Sequence, residues 1–442
     1  MQVSEIIEYP RQFCTLAAQQ TIVAIDRAIP ILHAGPGCSS KIFGGASFSS
    51  GYQGSGYVGG SAIPCTNTTE RDVVFGGEER LREVIDGALK VMDGDFFVVL
   101  TGCTSDIVGD DVAQVVSEFT NRDVPIAYAE TGGFKGNSYN GHELVLESII
   151  NQTIEDAGER IEGLVNIWSV VPYQDPFWDG NLQAIKRLLE GIGLKANILF
   201  GEKSGGFKSW KQIPSAQFNL VISPWVGVKI AELLESKFGT PWLQYPSIPI
   251  GAVETSKFLK AVGRFANIDE KIVDEYIKEQ ESSYYYYLEK AADFLLEFRY
   301  GLPGRFFNIA DSFYTIGISK FLANDLSLLP GHQFITDEAP NEYRSLIEEQ
   351  LLKLAPGVST EVSFIADGGK IHEKLRQYGN RYSPLIIGGT WDSDLAKELD
   401  GYHLSISLPI TDRLILNRHY VGYDGGLRLT EDIYSSILQS YQ

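Results

Sequence analysis

The sequence predicts an α/β fold, for which composition, length and hydrophobic pattern give three separate indications. Short apolar runs alternate with longer amphipathic stretches, which is typical of parallel strands joined by crossover helices. The 442 residues are enough for about three domains of ordinary size. A content of 44% hydrophobic and 21% charged residues supplies several buried cores. We therefore expect three Rossmann-like domains, each a mostly parallel sheet flanked by helices.

The first predicted domain covers residues 1–160. Residues 96–100 (FFVVL) read as a buried strand that ends in the turn TGC, and residues 124–130 (VPIAYAE) read as the next strand. A helix is expected to begin at Asp110 and Asp111, because carboxylates before an apolar stretch cap the free amides of a helix start. Helix capping is favoured over acid–base chemistry for this pair.

The second and third predicted domains cover residues 161–290 and 291–442. The pattern predicts strands at 164–171, 196–200, 218–222, 306–311, 332–336, 362–366, 384–388 and 403–407. It predicts helices near 182–192, from 312 to about 326, and over 279–299. Four successive tyrosines, 284–287, lie in the last of these and are interpreted as packing residues.

The charge balance excludes several classes of partner. Lys and Arg number 37 against 57 Asp and Glu, giving a formal charge of −20, which would repel nucleic acid and anionic membrane surfaces. No apolar run is long enough to span a bilayer, and the acidic first residues do not resemble a secretory signal. We expect a cytoplasmic protein, whose cysteines are thiols or metal ligands rather than disulfides.

Familiar active-site motifs are missing or lack their context. Residues 54–59 (GSGYVG) match the dinucleotide pattern, but no strand precedes them and Pro64 follows where a helix should run. His142 begins a zinc-protease-like HELVL, yet Leu146 stands where the second histidine is required. Residues 42–69 contain no charge at all, so we expect this segment to be buried against a partner or a second domain.

The four cysteines, Cys14, Cys38, Cys65 and Cys103, all lie in the first quarter of the chain. Cys38 (HAGPGC) and Cys103 (LTGC) each follow an apolar run and a glycine, which lets backbone amides approach a bulky group. Thiolates of an iron–sulfur cluster need such amides to stabilise their charge. Cys14 precedes an apolar stretch, while Cys65 has no comparable context and could be a small buried hydrophobe.

Several segments occur in the order and spacing of one known family. These are Cys14 with its helix-like continuation, PILHAGPGC at 30–38, ERDVVFGGEERL at 70–81, TGCTSDIVGDD at 101–111 and VGYDGGLRL at 421–429. Together they make the chain resemble a subunit of nitrogenase component 1 and of the wider family of nitrogenase-like reductases. The resemblance covers nearly the whole sequence.

The resemblance implies a cofactor and partners. In that family α and β subunits share one fold, and each gives three cysteines to an [8Fe–7S] P-cluster at their interface; here those would be Cys14, Cys38 and Cys103. The α subunit also binds the catalytic cofactor through a Cys and a His, where this chain has Ser223 and Val421. The chain therefore resembles the β subunit, which has no catalytic residue of its own. An α₂β₂ assembly and an ATP-dependent homodimeric iron–sulfur reductase are the implied partners.

The resemblance leaves the reaction open. Residues 130–139 (ETGGFKGNSY) lack the matching serine that joins the P-cluster on oxidation in nitrogenase β subunits. This favours reductive C–S cleavage of methylthio-alkanes over dinitrogen reduction, which stays an alternative. A scaffold subunit for cofactor assembly with a [4Fe–4S] cluster is another alternative, and a plain α/β binding protein with structural cysteines is the third.

Overall fold

The computed structural model describes residues 7–38, 63–156, 158–201, 204–298, 302–358, 360–379 and 383–439. Residues 42–62, which include the GSGYVG match at 54–59, lie outside the described residues. The rejection of a dinucleotide site there and the expected burial of the uncharged segment therefore stay predictions. No helix in the described part of the chain combines the length and apolarity that crossing a bilayer requires.

Three sheets organise the chain, and every strand pair in the described residues is parallel. The first has the order β1-β2-β3 and consists of β1 (Ala28–His33), β2 (Phe96–Thr101) and β3 (Ile126–Ala129). The second has the order β5-β4-β6-β7 and consists of β4 (Ile161–Trp168), β5 (Lys195–Asn197), β6 (Ala216–Ile222) and β7 (Trp242–Tyr245). The third has the order β11-β10-β8-β12-β13, with β9 beside β8, and consists of β8 (Arg305–Ala310), β9 (Leu329–Pro330), β10 (Gln333–Ile335), β11 (Val362–Phe364), β12 (Leu385–Gly388) and β13 (Tyr402–Ser405). The α/β prediction is confirmed.

Helices connect the strands in each part of the chain. Around the first sheet are α1 (Ala18–Val23), α2 (Glu70–Phe75), α3 (Glu78–Val91), α4 (Cys103–Val108), α5 (Val112–Thr120) and α6 (Ser138–Thr153). With the second sheet come α7 (Trp178–Gly191), α8 (Gly206–Trp210), α9 (Val228–Phe238), α10 (Gly251–Phe265) and α11 (Glu270–Phe298). The third part contains α12 (Ser312–Asn324), α13 (Asn341–Leu352), α14 (Gly368–Arg376), α15 (Ser393–Glu398) and α16 (Gly422–Gln439).

Strand β2 shows why the hydrophobic pattern was readable. All of its residues are buried, since helices cover both faces of a parallel sheet and leave no polar side. Such strands appear in the sequence as continuous apolar runs. Each predicted strand is present, with its ends shifted by at most three residues.

Two local predictions need correction. Asp111 does cap α5, since its side chain accepts the Gln114 N–H, but Asp110 does not. One of its carboxylate oxygens instead accepts the Gly77 N–H at 2.9 Å, at the start of α3, and the other contacts the ring of the buried His33 at 2.8 Å. Asp110 therefore ties α3 to the end of β1, a long-range role that local sequence cannot show.

The tyrosine run is the second correction. Only Tyr284 is buried, whereas residues 285–287 are exposed, so the packing interpretation is wrong for three of the four. Successive helical residues point in directions about 100° apart, so four in a row cannot share one face. The buried face of α11 packs on α10 and α16.

Residues near both ends of the chain bind to parts of the molecule that are distant in sequence. The Arg11 guanidinium pairs with the Asp392 carboxylate next to the third sheet, at 2.6 and 2.8 Å, and both side chains are buried. Burial alone would raise the pKa of Asp392, but Arg11 and His372 hold it well below its usual range. At the other end, the Gly422 N–H donates to the Pro249 carbonyl at 2.7 Å, which docks α16 on the second part. Each sheet falls within one predicted domain range, and the domain boundaries themselves stay a prediction.

Candidate metal centre

The three predicted ligand cysteines belong to segments at the carboxyl ends of the first sheet. Cys38 lies in the segment that follows β1, and Cys103 is the first residue of α4, directly after β2. Cys14 precedes α1 and forms an isolated backbone bridge with Asn137, which lies in the loop after β3. In parallel sheets this edge is where ligands bind.

The thiols of Cys14 and Cys103 converge on Gly133. A methyl carbon placed on Gly133 would lie 3.0 Å from the Cys103 sulfur and 3.3 Å from the Cys14 sulfur. The two sulfurs can therefore be no farther apart than these two distances combined. The Gly133 N–H donates to the Cys103 sulfur at 3.1 Å, the kind of bond that stabilises a metal-bound thiolate. Cys14 and Cys103 are both exposed, so this thiol pair faces outward.

The loop that carries Gly133 is fixed from both sides. The Thr15 hydroxyl, next to Cys14, donates to the Gly132 carbonyl at 2.6 Å. The Asp106 carboxylate, one turn along α4 from Cys103, accepts the Gly132 N–H at 3.1 Å and pairs with Lys135 at 2.8 Å. Each cysteine thus brings its own anchor for the loop, which holds the Gly133 amide in place before any ligand binds.

Cys38 is placed less directly. Its N–H donates to the Gly35 carbonyl at 3.2 Å, and its carbonyl accepts from the Gln19 side chain on α1 at 3.5 Å. A methyl carbon on Gly102 would lie 2.6 Å from the Ala34 side chain, so the start of the Cys38 segment touches the residue before Cys103. Cys38 therefore lies along the same sheet edge, half-buried, and its role as third ligand stays a prediction.

Cys65 has a different environment. Its sulfur lies 3.2 Å from the Ala34 carbonyl, to which the thiol donates, and it accepts the Asn67 N–H at 3.5 Å. A thiol that donates to a carbonyl keeps its proton, whereas a metal ligand loses it. This geometry is that of a protonated thiol rather than of a metal ligand.

The donors that meet at this sheet edge are the thiols of two cysteines. Among the described residues, no three His, Cys, Asp or Glu side chains converge to hold one metal ion. The cysteine pair instead flanks a concave position that any side chain at residue 133 would fill. A multi-iron cluster, which spreads its thiolates over several metals, fits this arrangement.

The positions corresponding to the catalytic-cofactor ligands of an α subunit have structural roles here. Ser223 is buried, and its hydroxyl accepts the Val226 N–H at 3.1 Å and the Trp225 N–H at 3.3 Å. Val421 is buried in the main core. The cavity that Ser223 lines measures about 20 Å³, which is room for one water molecule.

Three aspartates line this small cavity, and nothing in the sequence alone singled them out. Burial raises the pKa of Asp311 to about 8 and that of Asp175 to about 6, and it also raises the pKa of Asp337. Asp337 accepts the Trp225 indole N–H at 2.9 Å, and Asp175 accepts the Tyr314 hydroxyl at 2.8 Å. Asp175 follows β4, Asp311 follows β8 and Asp337 follows β10. Acids placed after the carboxyl ends of predicted strands were the signal from which this group could have been predicted. A group of buried acids disfavours an anionic cofactor at this place.

Replacing Asp311 with Asn should make stability less dependent on pH. Its folded-state pKa of about 8 lies above the value of ~3.9 in an unfolded chain. Between these values the folded state holds a proton that unfolding releases, so wild-type stability falls as pH rises. We expect Asp311→Asn to unfold at a higher temperature than wild type at pH 8 and to differ little at pH 5. Asn retains the cap that Asp311 gives to α12, so the comparison isolates the charge. Equal melting curves at pH 8 would contradict the prediction.

The fold is that of an α/β protein with several parallel sheets, and it brings two cysteine thiols together at the edge of the first sheet. The chain belongs to the family of nitrogenase component 1 type oxidoreductases, whose family model matches residues 14–438. Because the match spans nearly the whole chain, the family resemblance seen in the sequence is confirmed.

Individual relatives agree with the β-type assignment. The β chain of the molybdenum–iron nitrogenase of Methanococcus maripaludis is 24% identical over 463 residues, covering 96% of this chain and 93% of that protein. The β chain of the iron–iron nitrogenase of Rhodobacter capsulatus is 23% identical over 453 residues, covering 95% of this chain and 91% of that protein. The solved structure of nitrogenase Cp1 at pH 6.5 matches with a TM-score of 0.79 and 20% identity, over 100% of this chain and 95% of that one. The structural match shows the shared fold.

Proposed function

We propose that this chain is the β-type subunit of a cytoplasmic nitrogenase-like reductase and that Cys14, Cys38 and Cys103 hold an [8Fe–7S] cluster shared with a homologous α subunit. When bound, such a cluster would carry electrons from an ATP-dependent homodimeric iron–sulfur reductase toward the catalytic cofactor of the α subunit. The observation that carries the proposal is the outward-facing pair of thiols, Cys14 and Cys103, that meets at the Gly133 amide.

The residues of this chain supply ligation and electrostatics. The thiolates bind iron, and the Gly133 N–H offsets part of the charge on the Cys103 sulfur. Three thiolates from one chain cannot saturate a cluster of about eight irons, so a second subunit must provide the remainder. We propose that two such αβ pairs associate as an α₂β₂ assembly.

The surface beside the cysteines is suited to a partner. Ile107 on α4 is 75% exposed and Phe134, next to Gly133, is 61% exposed. Val74 and Phe75, at 71% and 82% exposed, extend this apolar surface along α2, which contacts α4. Large apolar side chains grouped on one face mark a protein interface. We assign Ile107 and Phe134 to the contact with the α subunit.

For the substrate class, we propose reductive C–S cleavage of methylthio-alkanes, with dinitrogen reduction as the alternative. The support is the loop at 130–139, whose hydroxyls are already used inside the subunit. Ser138 is buried and donates to Gln174 at 2.8 Å, while Thr131 donates to the Thr101 carbonyl at 2.9 Å. Neither hydroxyl is aimed at the cysteines as an additional cluster ligand would be.

Metal analysis of the complex tests the cluster. The chain should be co-expressed anaerobically with its α partner, and iron and sulfide should be counted at the interface. We expect about eight irons at the interface of each αβ pair, beyond any iron in the α subunit's own cofactor, against about four for a scaffold with a [4Fe–4S] cluster and none at the interface for a plain binding protein.

An activity assay tests the substrate. The complex should be supplied with its reductase, ATP and either a methylthio-alkane or dinitrogen, and released thiol and ammonia should be measured. Thiol release without ammonia supports C–S cleavage, whereas ammonia formation supports the alternative.

A further inference from the structure

An ion pair lies beside the turn that carries Gly133. The Asp106 carboxylate and the Lys135 ammonium are 2.8 Å apart, and their side chains are 5% and 29% exposed. The carboxylate oxygen that contacts Lys135 also accepts the Gly132 N–H at 3.1 Å. A methyl carbon on Gly132 would collide with this oxygen, so a side chain at residue 132 would push the carboxylate away from the backbone. Asp106 is therefore packed against the residue that precedes Gly133.

Two hydrogen bonds and one residue separate the Asp106 carboxylate from the Cys103 sulfur. The Gly132 N–H donates to the carboxylate at 3.1 Å, and the Gly133 N–H donates to the sulfur at 3.1 Å. One residue spans at most ~3.6 Å, so the carboxylate lies within about 10 Å of the sulfur. Two unit charges at this distance, near a protein surface, interact by an amount that changes an equilibrium constant roughly tenfold.

Lys135 balances the charge of Asp106. Lys135 also binds the Glu130 carboxylate at 2.9 Å, but Glu130 is 65% exposed, so water and salt screen its charge. Among the described residues, Lys135 is the one cation that forms an ion pair with Asp106. An iron–sulfur cluster with bound thiolates carries negative charge, so an unbalanced carboxylate nearby would make the addition of an electron less favourable.

We propose that Asp106 and Lys135 are positioning residues that together set the reduction potential of the cluster, an inference that rests on the proposed function. Asp106 holds Gly132 so that the next amide, that of Gly133, reaches the Cys103 sulfur. Lys135 cancels the charge of the carboxylate that does this positioning. The cluster is thus influenced by the Gly133 amide and not by the anion behind it. The electron itself comes from the iron–sulfur reductase, and neither residue forms or breaks a bond.

Redox titration of the anaerobic αβ complex, followed by visible and electron paramagnetic resonance spectra, tests the pair. Lys135→Gln leaves the carboxylate unbalanced and should make one-electron reduction about tenfold less favourable, which lowers the potential by about 59 mV. Asp106→Asn keeps an oxygen for the Gly132 N–H but leaves Lys135 unbalanced, so the potential should rise by about the same amount. The double variant should return close to the wild-type potential.

The opposite signs of the two shifts distinguish this role from a structural one, because a loosened turn would move both potentials in the same direction. Lys397→Gln is the matched control. It removes a lysine that pairs with Asp394 at 3.2 Å on α15, in the third part of the chain, and should leave the potential unchanged.

Iron counts separate this test from that of the proposed function. All variants should keep the interfacial iron of the wild-type complex. Absence of interfacial iron in the wild-type complex overturns the proposed function and this inference with it. Full iron with unchanged potentials, or with shifts of the same sign in the two single variants, overturns the inference alone. If Asp106→Asn does not load iron, Lys135→Gln decides: a potential equal to or above that of wild type overturns the inference.

Discussion

Replacing Cys103 with Ala is expected to remove the interfacial cluster and to abolish electron transfer. The substitution takes away one of the two sulfurs that meet at Gly133 and leaves the Gly133 amide without its acceptor. Loss of a partner outside the ligand shell already costs 10–100-fold in metal affinity or activity, so loss of a ligand should cost about two orders of magnitude or more. Iron content, visible absorbance and reductase-dependent activity of the αβ complex are the measurements.

Cys65 provides the matched control for this experiment. It is a half-buried cysteine in the same part of the chain, with its thiol directed at the Ala34 carbonyl. Cys65→Ala should therefore keep full iron content and activity. Should iron and absorbance survive in Cys103→Ala, or disappear equally in Cys65→Ala, the ligand assignment is wrong.

Adding a single methyl group at Gly133 should have the second largest effect. The new carbon would lie 3.0 and 3.3 Å from the two sulfurs, closer than ordinary van der Waals contact, and the sulfurs of a bound cluster cannot move away freely. We expect Gly133→Ala to assemble with its partner but to carry less cluster iron, with activity reduced by about 10–100-fold. Clusters that still assemble in this variant should have a shifted reduction potential. The reason is that the hydrogen bond from the Gly133 amide to sulfur sets part of that potential.

Gly87→Ala separates this crowding from the general effect of replacing a glycine. Gly87 lies within α3, where an added carbon meets nothing within 4 Å. Alanine in a helix is more favourable than glycine by about 1 kcal/mol, so this variant should melt slightly higher and keep its iron. A Gly133→Ala complex with wild-type iron and potential would show that residue 133 does not limit the cluster site.

The parts of the fold that local sequence could predict are the buried parallel strands. Their covered faces produce continuous apolar runs, as in β2 and β8. Strands that break this pattern were missed. β1 contains Pro30, which a strand tolerates at the edge of a sheet, and β7 is half-buried and polar in part. β1 and β7 form strands because they pair with β2 and β6, and this pairing cannot be read from their own residues.

For the candidate site, the sequence indicated the cysteines but not their surroundings. Glycine beside Cys103 pointed to a close backbone approach, yet the amide that reaches the sulfur comes from Gly133, thirty residues later. The glycine pair at 132–133, three residues after the end of β3, was the available signal. In the same way, Asp175, Asp311 and Asp337 are ordinary acids in the sequence and become a group only when the segments after β4, β8 and β10 come together.

The Arg11–Asp392 pair has a consequence for how the subunit matures. Arg11 precedes Cys14 by three residues, and its partner lies 381 residues later in the chain. During synthesis from the amino terminus, the segment carrying Cys14 lacks this buried anchor until residue 392 has been made. The thiol of Cys14 is therefore fixed in place only after the first and third parts of the chain have come together.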